Sequence, residues 1–203
     1  MARYGLTLIT APTLEPVTEA EAFTHCNIVA SAGSYYGPQI RAFITAAREK
    51  VETDTGRALM TQTWDYTFDL WPCGLEPIYL PKAPVSAITS VKHYDTSNVQ
   101  QTIASSVYKP LLDREPGEIR LKNAQSWPAL YGETGVITVR FVCGFGATTL
   151  TVPESLRTAI KLTVESWFNP EKQKANDFAY EALIDKWRTG DEWHTYGRSV
   201  EYA

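Results

Sequence analysis

The chain has 203 residues and a formal net charge of −4, with a pI of about 5.4. This length suits one domain with or without an extension, and such a chain can bury a core without a metal or disulfide. Tight binding to DNA phosphates requires a basic surface, and no run of Lys or Arg occurs, so the composition disfavours a sequence-specific nucleic-acid-binding protein. Three cysteines without a CxxC pair predict reduced thiols in an intracellular setting.

The N-terminal segment 1–17 has no helical period, and we expect it to be an extended arm. It lacks the apolar core of a signal peptide. No stretch of the chain approaches the 18 apolar residues of a membrane span. The sequence TEAE follows the arm and is typical of a capping box, in which Thr18 caps the helix and Glu21 reaches back to its amide. A short helix over 18–26 is therefore predicted.

A longer helix is predicted over 38–55, with Pro38 at its first turn. Its apolar residues recur at helical spacing and form one stripe: Ile40, Phe43, Ile44, Ala47 and Val51. Its charged residues fall on the opposite faces: Arg41, Arg48, Glu49 and Glu52. Gly56 then ends the helix, and we expect it to adopt left-handed dihedrals, with Arg57 near the exposed carbonyls of the last turn.

The period changes to two in the next segment, which predicts a β module over 61–146. The clearest strands are TQTWDYTFDLW at its start and GVITVRFVCGFG at its end, whose glycines indicate a strand exit. Between them, EPIYLP reads as a short edge strand because of its prolines. Three weaker strands are predicted at VSAITSVKHYD, QTIASSVYKP and GEIRLK.

Helical spacing returns over 154–168 and 177–189, and the tail 191–203 has no period. Strands that follow one another through short turns pair antiparallel. The sequence therefore predicts an α+β fold, in which N- and C-terminal helices form a small bundle and an antiparallel β-sheet module is inserted between them.

No catalytic or metal-binding motif is present in the sequence. His25 and Cys26 are adjacent in a helix, so their side chains diverge. Asp65 and Asp69 share a strand face and could bind a cation or act as acid and base, although a solvated sheet face is the plainer interpretation. We therefore predict no catalytic residue, no cofactor and no metal, while a small intracellular hydrolase with an unrecognised site stays open as an alternative.

Four segments, in order, resemble the head–tail connector family of tailed phages, the gp6-like adaptors. The similarity is greatest to a branch of phage and gene-transfer-agent proteins with the pattern E-x-x-TGRAL-x-x-QTW, which here covers Glu52 and Thr55 to Trp64. The other segments are PVSAITSV at 84–91, VRFVCGFG at 139–146, and the following VP with its helix. The resemblance covers roughly residues 14–168 and is looser over the closing helix.

This resemblance implies a structural virion protein and no enzyme. Such adaptors form a ring, commonly dodecameric, in the neck between capsid and tail. The ring lies below the portal protein, extends the channel for double-stranded DNA and docks the stopper or a tail-completion protein. Another neck or tail-completion ring protein is the nearest alternative. An acidic balance suits a conduit, because a basic lumen would retain DNA.

A closed ring requires a heterologous interface between neighbours. The candidates for contacts between subunits are the charged residues on and after the long helix: Arg41, Arg48, Glu49, Glu52 and Arg57. By family analogy, the C-terminal tail offers candidates for docking on the portal: Trp193, Tyr196, Arg198 and Tyr202. The N-terminal arm and the loops near 71–76 and 95–101 could face neighbouring subunits or the next ring.

Overall fold

A computed structural model describes residues 4–29 and 33–189. These residues divide into two compact units. The sheet unit contains residues 4–11 and Thr61–Gly144, and the helical unit contains Pro12–Met60 and Phe145–Arg188. The α+β class with antiparallel sheets between N- and C-terminal helices is confirmed.

The larger sheet of the sheet unit has five strands in the order β1-β2-β8-β4-β5. Their bounds are β1 Tyr4–Thr10, β2 Gln62–Phe68, β8 Ile137–Cys143, β4 Val85–Tyr94 and β5 Gln100–Thr102. Every neighbouring pair is antiparallel. Side chains alternate across the central strand β8, where Ile137, Val139 and Phe141 are fully buried because odd positions share one face.

The N-terminal arm predicted over 1–17 is corrected over residues 4–10. These residues are extended, but they form strand β1 and pair with β2 from Tyr4↔Phe68 to Thr10↔Thr63. The partner strand lies more than fifty residues along the chain, so no local pattern marks β1 as part of the sheet. The pairing shifts register between Leu8 and Thr10.

A second sheet contains three strands in the order β3-β7-β6. They are β3 Ile78–Tyr79, β7 Glu118–Leu121 and β6 Tyr108–Leu111. The edge position predicted for EPIYLP is confirmed, since β3 lies at an edge. The single strand predicted for QTIASSVYKP is wrong: β5 and β6 divide it between the two sheets, with a turn in which the Val107 amide donates to the Ala104 carbonyl.

The helical unit contains helices α1 Glu19–His25, α2 Gly33–Thr55, α3 Glu154–Phe168 and α4 Gln173–Ile184. The capping box is present: the Thr18 hydroxyl accepts from the Glu21 amide, and the Glu21 carboxylate accepts from the Thr18 amide at 2.8 Å. Helix α3 spans the predicted range. The buried core of the unit joins the stripe of α2 to the apolar faces of α3 and α4.

Helix α2 begins five residues earlier than predicted, and Pro38 lies inside it. A proline ring normally clashes with the Cβ of the preceding residue, but that residue is Gly37, which has none. An added Cβ at Gly37 would lie 2.6 Å from the Glu19 carboxylate. The missing Cβ therefore permits the helical backbone before Pro38 and leaves room for the Glu19 carboxylate.

The predicted helix 177–189 is also corrected, because α4 begins at Gln173 and a 3-10 turn at Pro170–Lys172 precedes it. It ends at Ile184, where a second 3-10 turn, Asp185–Trp187, takes over. The two glycine predictions are confirmed. Gly56 has φ of 69°, and Gly144 and Gly146 have φ of 119° and 153° at the exit of β8.

Candidate assembly surfaces

Catalysis or metal binding requires side chains that converge on a substrate or a metal ion. Within residues 4–29 and 33–189, no cluster of three or more His, Cys, Asp or Glu side chains is placed to hold a metal ion. None of the helices in that part of the chain has the length and apolar character needed to cross a bilayer.

The adjacent His25 and Cys26 belong to a network around Glu165. Cys26 is buried, and burial together with the Glu165 carboxylate raises the pKa of its thiol to about 11. A thiol with that pKa is a poor nucleophile at neutral pH. Burial opposes the charge on Glu165, but hydrogen bonds from Lys172 at 2.6 Å and Asn176 at 3.1 Å outweigh it and lower the pKa of this carboxyl.

Asp65 and Asp69 do not share a strand face as predicted, because β2 ends at Phe68 and Asp69 lies just beyond it. The two carboxylates are held by separate partners. Asp65 accepts two hydrogen bonds of 2.7 Å from the Arg140 guanidinium on β8. Asp69 accepts a hydrogen bond of 2.7 Å from the Gly135 amide. This arrangement ties β2 to β8 and to the loop before it, and does not form a pair of carboxylates for acid–base chemistry.

A pocket of about 380 Å³ opens between α3 and α4 of the helical unit. Its lining is mostly polar and includes Lys50, Ser166, Trp167, Asn176, Tyr180 and Glu181. Lys50 lies 4.3 Å from the Tyr180 ring centroid, and the Tyr180 hydroxyl donates to Asp54 at 2.6 Å. Burial and that carboxylate raise the pKa of Tyr180, so the phenol is a structural donor.

Two of the four charged residues predicted on the outer faces of α2 are in fact buried. Arg48 and Glu52 are 6% and 7% exposed, and the Arg48 guanidinium donates to Glu52 and to Glu15 at 2.8 Å each. The other oxygen of Glu52 accepts from the Leu59 amide at 2.8 Å. These charges therefore fasten α2 to the segments before and after it within one chain.

Arg57 is likewise buried in the helical unit, at 6% exposure. Its Nε donates to the Trp187 carbonyl at 2.6 Å, and its guanidinium lies 5.5 Å from the Trp187 ring centroid. Arg57 therefore lies against the turn that follows α4. Its expected contact with the carbonyls of the last turn of α2 stays a prediction. The TGRAL segment thus connects the end of the second helix to the end of the fourth.

The two remaining candidates on α2 are accessible. Arg41 pairs with Glu19 at 2.8 Å, with 58% of its side chain exposed, and the side chain of Glu49 is 65% exposed. The tail candidates Trp193, Tyr196, Arg198 and Tyr202 lie outside the described residues. A contact between subunits stays a prediction for all of these residues.

The strand β1 is largely exposed. The sequence predicted that the N-terminal arm could face a neighbour, but not that it forms a strand. Six of its seven residues are exposed, and Leu6 is half-buried. Tyr4, Leu8 and Ile9 are 50%, 43% and 43% exposed. The segment YGLTLIT contains no charge and no proline, and this uncharged alternation is the signal that could have identified a strand.

Comparison with known proteins relates this fold to one kind of particle. No family model matches the chain, and no curated protein matches it. The chain is similar to a chain of the neck of an empty GTA (gene transfer agent) particle computed with C6 symmetry, with a TM-score of 0.76 and 22% identity over 92% of this chain and 96% of that chain.

Two further structures are also similar. A chain of the neck of a native GTA particle computed with C12 symmetry matches with a TM-score of 0.68 and 26% identity, over 92% of this chain and 96% of that chain. A chain of the virion of the native particle matches with a TM-score of 0.69 and 22% identity, over 91% and 95%. Both units of the fold are therefore shared with these chains, nearly from end to end.

Proposed function

We propose that the protein is a structural component of the neck of a gene transfer agent or a related phage-like particle. One observation carries the proposal: the fold matches a neck chain over 92% of this chain and 96% of that one. The buried, ion-paired state of the charged residues described above also favours a structural role over catalysis.

Within that class, we propose that the protein is the adaptor subunit of the neck, forming a ring below the portal that extends the DNA channel and docks the stopper or tail. The TGRAL-x-x-QTW resemblance supports this role. The C6 and C12 symmetries of the similar necks support a ring built from repeated copies. The net charge of −4 suits a channel through which DNA passes without being held.

Negative-stain microscopy of the purified protein mixed with its portal protein tests this role. We expect a second ring stacked coaxially on the portal. Stacking on the stopper but not on the portal would instead identify another ring of the neck. Failure to associate with either protein, at concentrations where the portal itself is intact, would contradict a neck function.

The tail 191–203 gives a second test. A chain that ends at Gly190 retains all of the described helices and strands, so we expect it to fold with an unchanged circular dichroism spectrum. We also expect that it no longer joins portal-bearing heads, because the tail carries the aromatic and arginine residues typical of interface anchors. Normal yields of infectious or gene-transferring particles from the truncated chain would refute a docking role for the tail.

A further inference from the structure

In the part of the chain that the structure describes, β1 and β5 form the two edges of the five-stranded sheet. Among residues 4–29 and 33–189, no strand pairs with the outer side of either. All three residues of β5 are exposed. An open edge presents unpaired amide and carbonyl groups, which is a template for pairing with another chain.

Over Tyr4 to Leu8, the edge of β1 lacks the protection that monomeric proteins usually provide. Edge strands are commonly blocked by lysine, proline or a bulge. Here the register shift falls between Leu8 and Thr10, which leaves Tyr4 to Leu8 regularly paired with β2 and without charge or proline on that edge. A regular, uncharged and partly apolar edge of this kind favours a partner strand in the assembled state.

The edges of the small sheet are poor pairing partners for β1 of another copy. The outer strand β6 contains Pro110, which removes one backbone donor. The other outer strand, β3, has two residues and is enclosed by Pro77 and Pro81. The edge formed by Gln100–Thr102 has neither proline nor charge, so β5 is the suitable acceptor among the edges that the structure describes.

We propose that β1 of one copy pairs with β5 of the next copy, so that the five-stranded sheet continues from subunit to subunit around the ring. This inference rests on the proposed ring function. The interface is heterologous, as ring closure requires. Four antiparallel steps separate β1 from β5, so the two strands run in the same direction and their pairing is parallel.

Strand pairing within one chain shows on which face of the sheet the residues of β1 and β5 lie. Thr7 is opposite Asp65, and Asp65 is opposite Arg140 on β8. Arg140 is opposite Ser90 on β4, two positions from Lys92, which is opposite Thr102. Residues opposite each other, or two apart on one strand, share a face, so Thr7 and Thr102 lie on the same face of the sheet. Gln101 lies on the other face.

Disulfide cross-linking tests the pairing directly. In a Cys73→Ser background, which removes the exposed native thiol, the variant Thr7→Cys/Thr102→Cys is assembled into rings and oxidised. Within one chain, four strand spacings place these positions about 19 Å apart, beyond the roughly 7 Å that a disulfide spans. We expect a ladder of covalent multimers extending to the full ring. Thr7→Cys/Gln100→Cys tests the register two residues away on the same face.

The matched controls use the same chemistry in arrangements that the proposal excludes. Thr7→Cys/Gln101→Cys places the second thiol on the opposite face, and we expect no ladder. Thr7→Cys alone is expected to stay monomeric under denaturing conditions. Dimers from this single variant would instead indicate two-fold β1–β1 pairing, since residue 7 is the centre of the strand, and would overturn the proposal.

Microscopy of the same samples separates the two levels of the inference. Rings with a ladder for either same-face pair support β1–β5 pairing. If rings form but neither same-face pair gives a ladder, β1–β5 pairing is refuted and the ring function is left intact. A third outcome is that neither the Cys73→Ser parent nor the variants form rings, whether as free protein or on portal-bearing heads. That outcome refutes the proposed function and, with it, the strand pairing.

Discussion

Substitution of Glu52 by alanine is the sharpest test of the buried charge network in the helical unit. One oxygen of the Glu52 carboxylate accepts from the Arg48 guanidinium and the other from the Leu59 amide, both at 2.8 Å. The substitution leaves a buried cation with one fewer partner and a buried amide without this acceptor. Glu49 is the matched control because it lies on the same helix and contacts the same arginine at 3.5 Å, but is exposed.

The magnitude follows from these contacts. An unsatisfied buried amide costs about 1–3 kcal/mol, and breaking a buried ion pair costs about 3–5 kcal/mol. Arg48 keeps Glu15 as a partner at 2.8 Å, which offsets part of the second cost. We therefore expect Glu52→Ala to lower the free energy of unfolding by about 3 kcal/mol. For Glu49→Ala we expect a loss below about 0.5 kcal/mol, as for exposed pairs.

Urea denaturation followed by circular dichroism at 222 nm measures both values, since the signal reports mainly on helix. In a thermal scan, about 3 kcal/mol corresponds to a fall in Tm of roughly 6–12 °C for a chain of this size. A Glu52→Ala loss under about 1 kcal/mol, or one equal to that of Glu49→Ala, would show that the buried network does not stabilise the fold as argued.

Three further outcomes are expected. A thiol reagent at pH 7.5 should modify Cys73 rapidly and Cys26 only on unfolding, because Cys73 is exposed and the Cys26 pKa is raised to about 11. A fast-reacting thiol in folded Cys73→Ser protein would contradict this. Gly146→Ala should lower the free energy of unfolding more than Gly135→Ala. Both glycines have positive φ, but only at Gly146 does the new Cβ fall within 3 Å of a neighbouring side chain. Equal losses of unfolding free energy would exclude the clash. The lowered pKa of Glu165 contributes stability that is present above its unfolded pKa and lost as pH falls through the folded value. The urea midpoint should therefore decline less steeply below pH 4.5 in Glu165→Gln than in the parent protein. Parallel declines in the two proteins would refute the lowered pKa of Glu165.

Local patterns in the sequence predict the local structure well. The capping box at Thr18, the range of α3 and the left-handed Gly56 all depend on residues within one or two turns of each other. Helical spacing also identifies the buried stripe of α2. These features are readable because the physical cause and the residues that reveal it are adjacent in the chain.

Features that depend on distant partners could not be read in the same way. Strand β1 is fixed by pairing with β2, and the division between β5 and β6 is fixed by the separate sheets that receive them. Arg48 and Glu52 are charged residues, which are usually exposed, and only the partner Glu15 and the returning Leu59 amide make their burial tolerable. Oppositely charged residues at i,i+4 also pair on exposed helix faces, so the spacing alone does not reveal burial.

The division of the helical unit into two chain segments has a consequence for the order in which the protein folds during synthesis. Arg157 of α3 donates to the Pro16 carbonyl and pairs with Glu21, so the first helices meet their packing partner only after the inserted residues Thr61–Gly144 have been translated. Translation of those residues at about 5–20 residues per second takes several seconds, in which β4 can pair with β5 and β6 with β7, whereas the central strand β8 is translated last. The apolar stripe of α2 is meanwhile without its partner helices, and this interval is when the nascent chain is most exposed to aggregation and to chaperones.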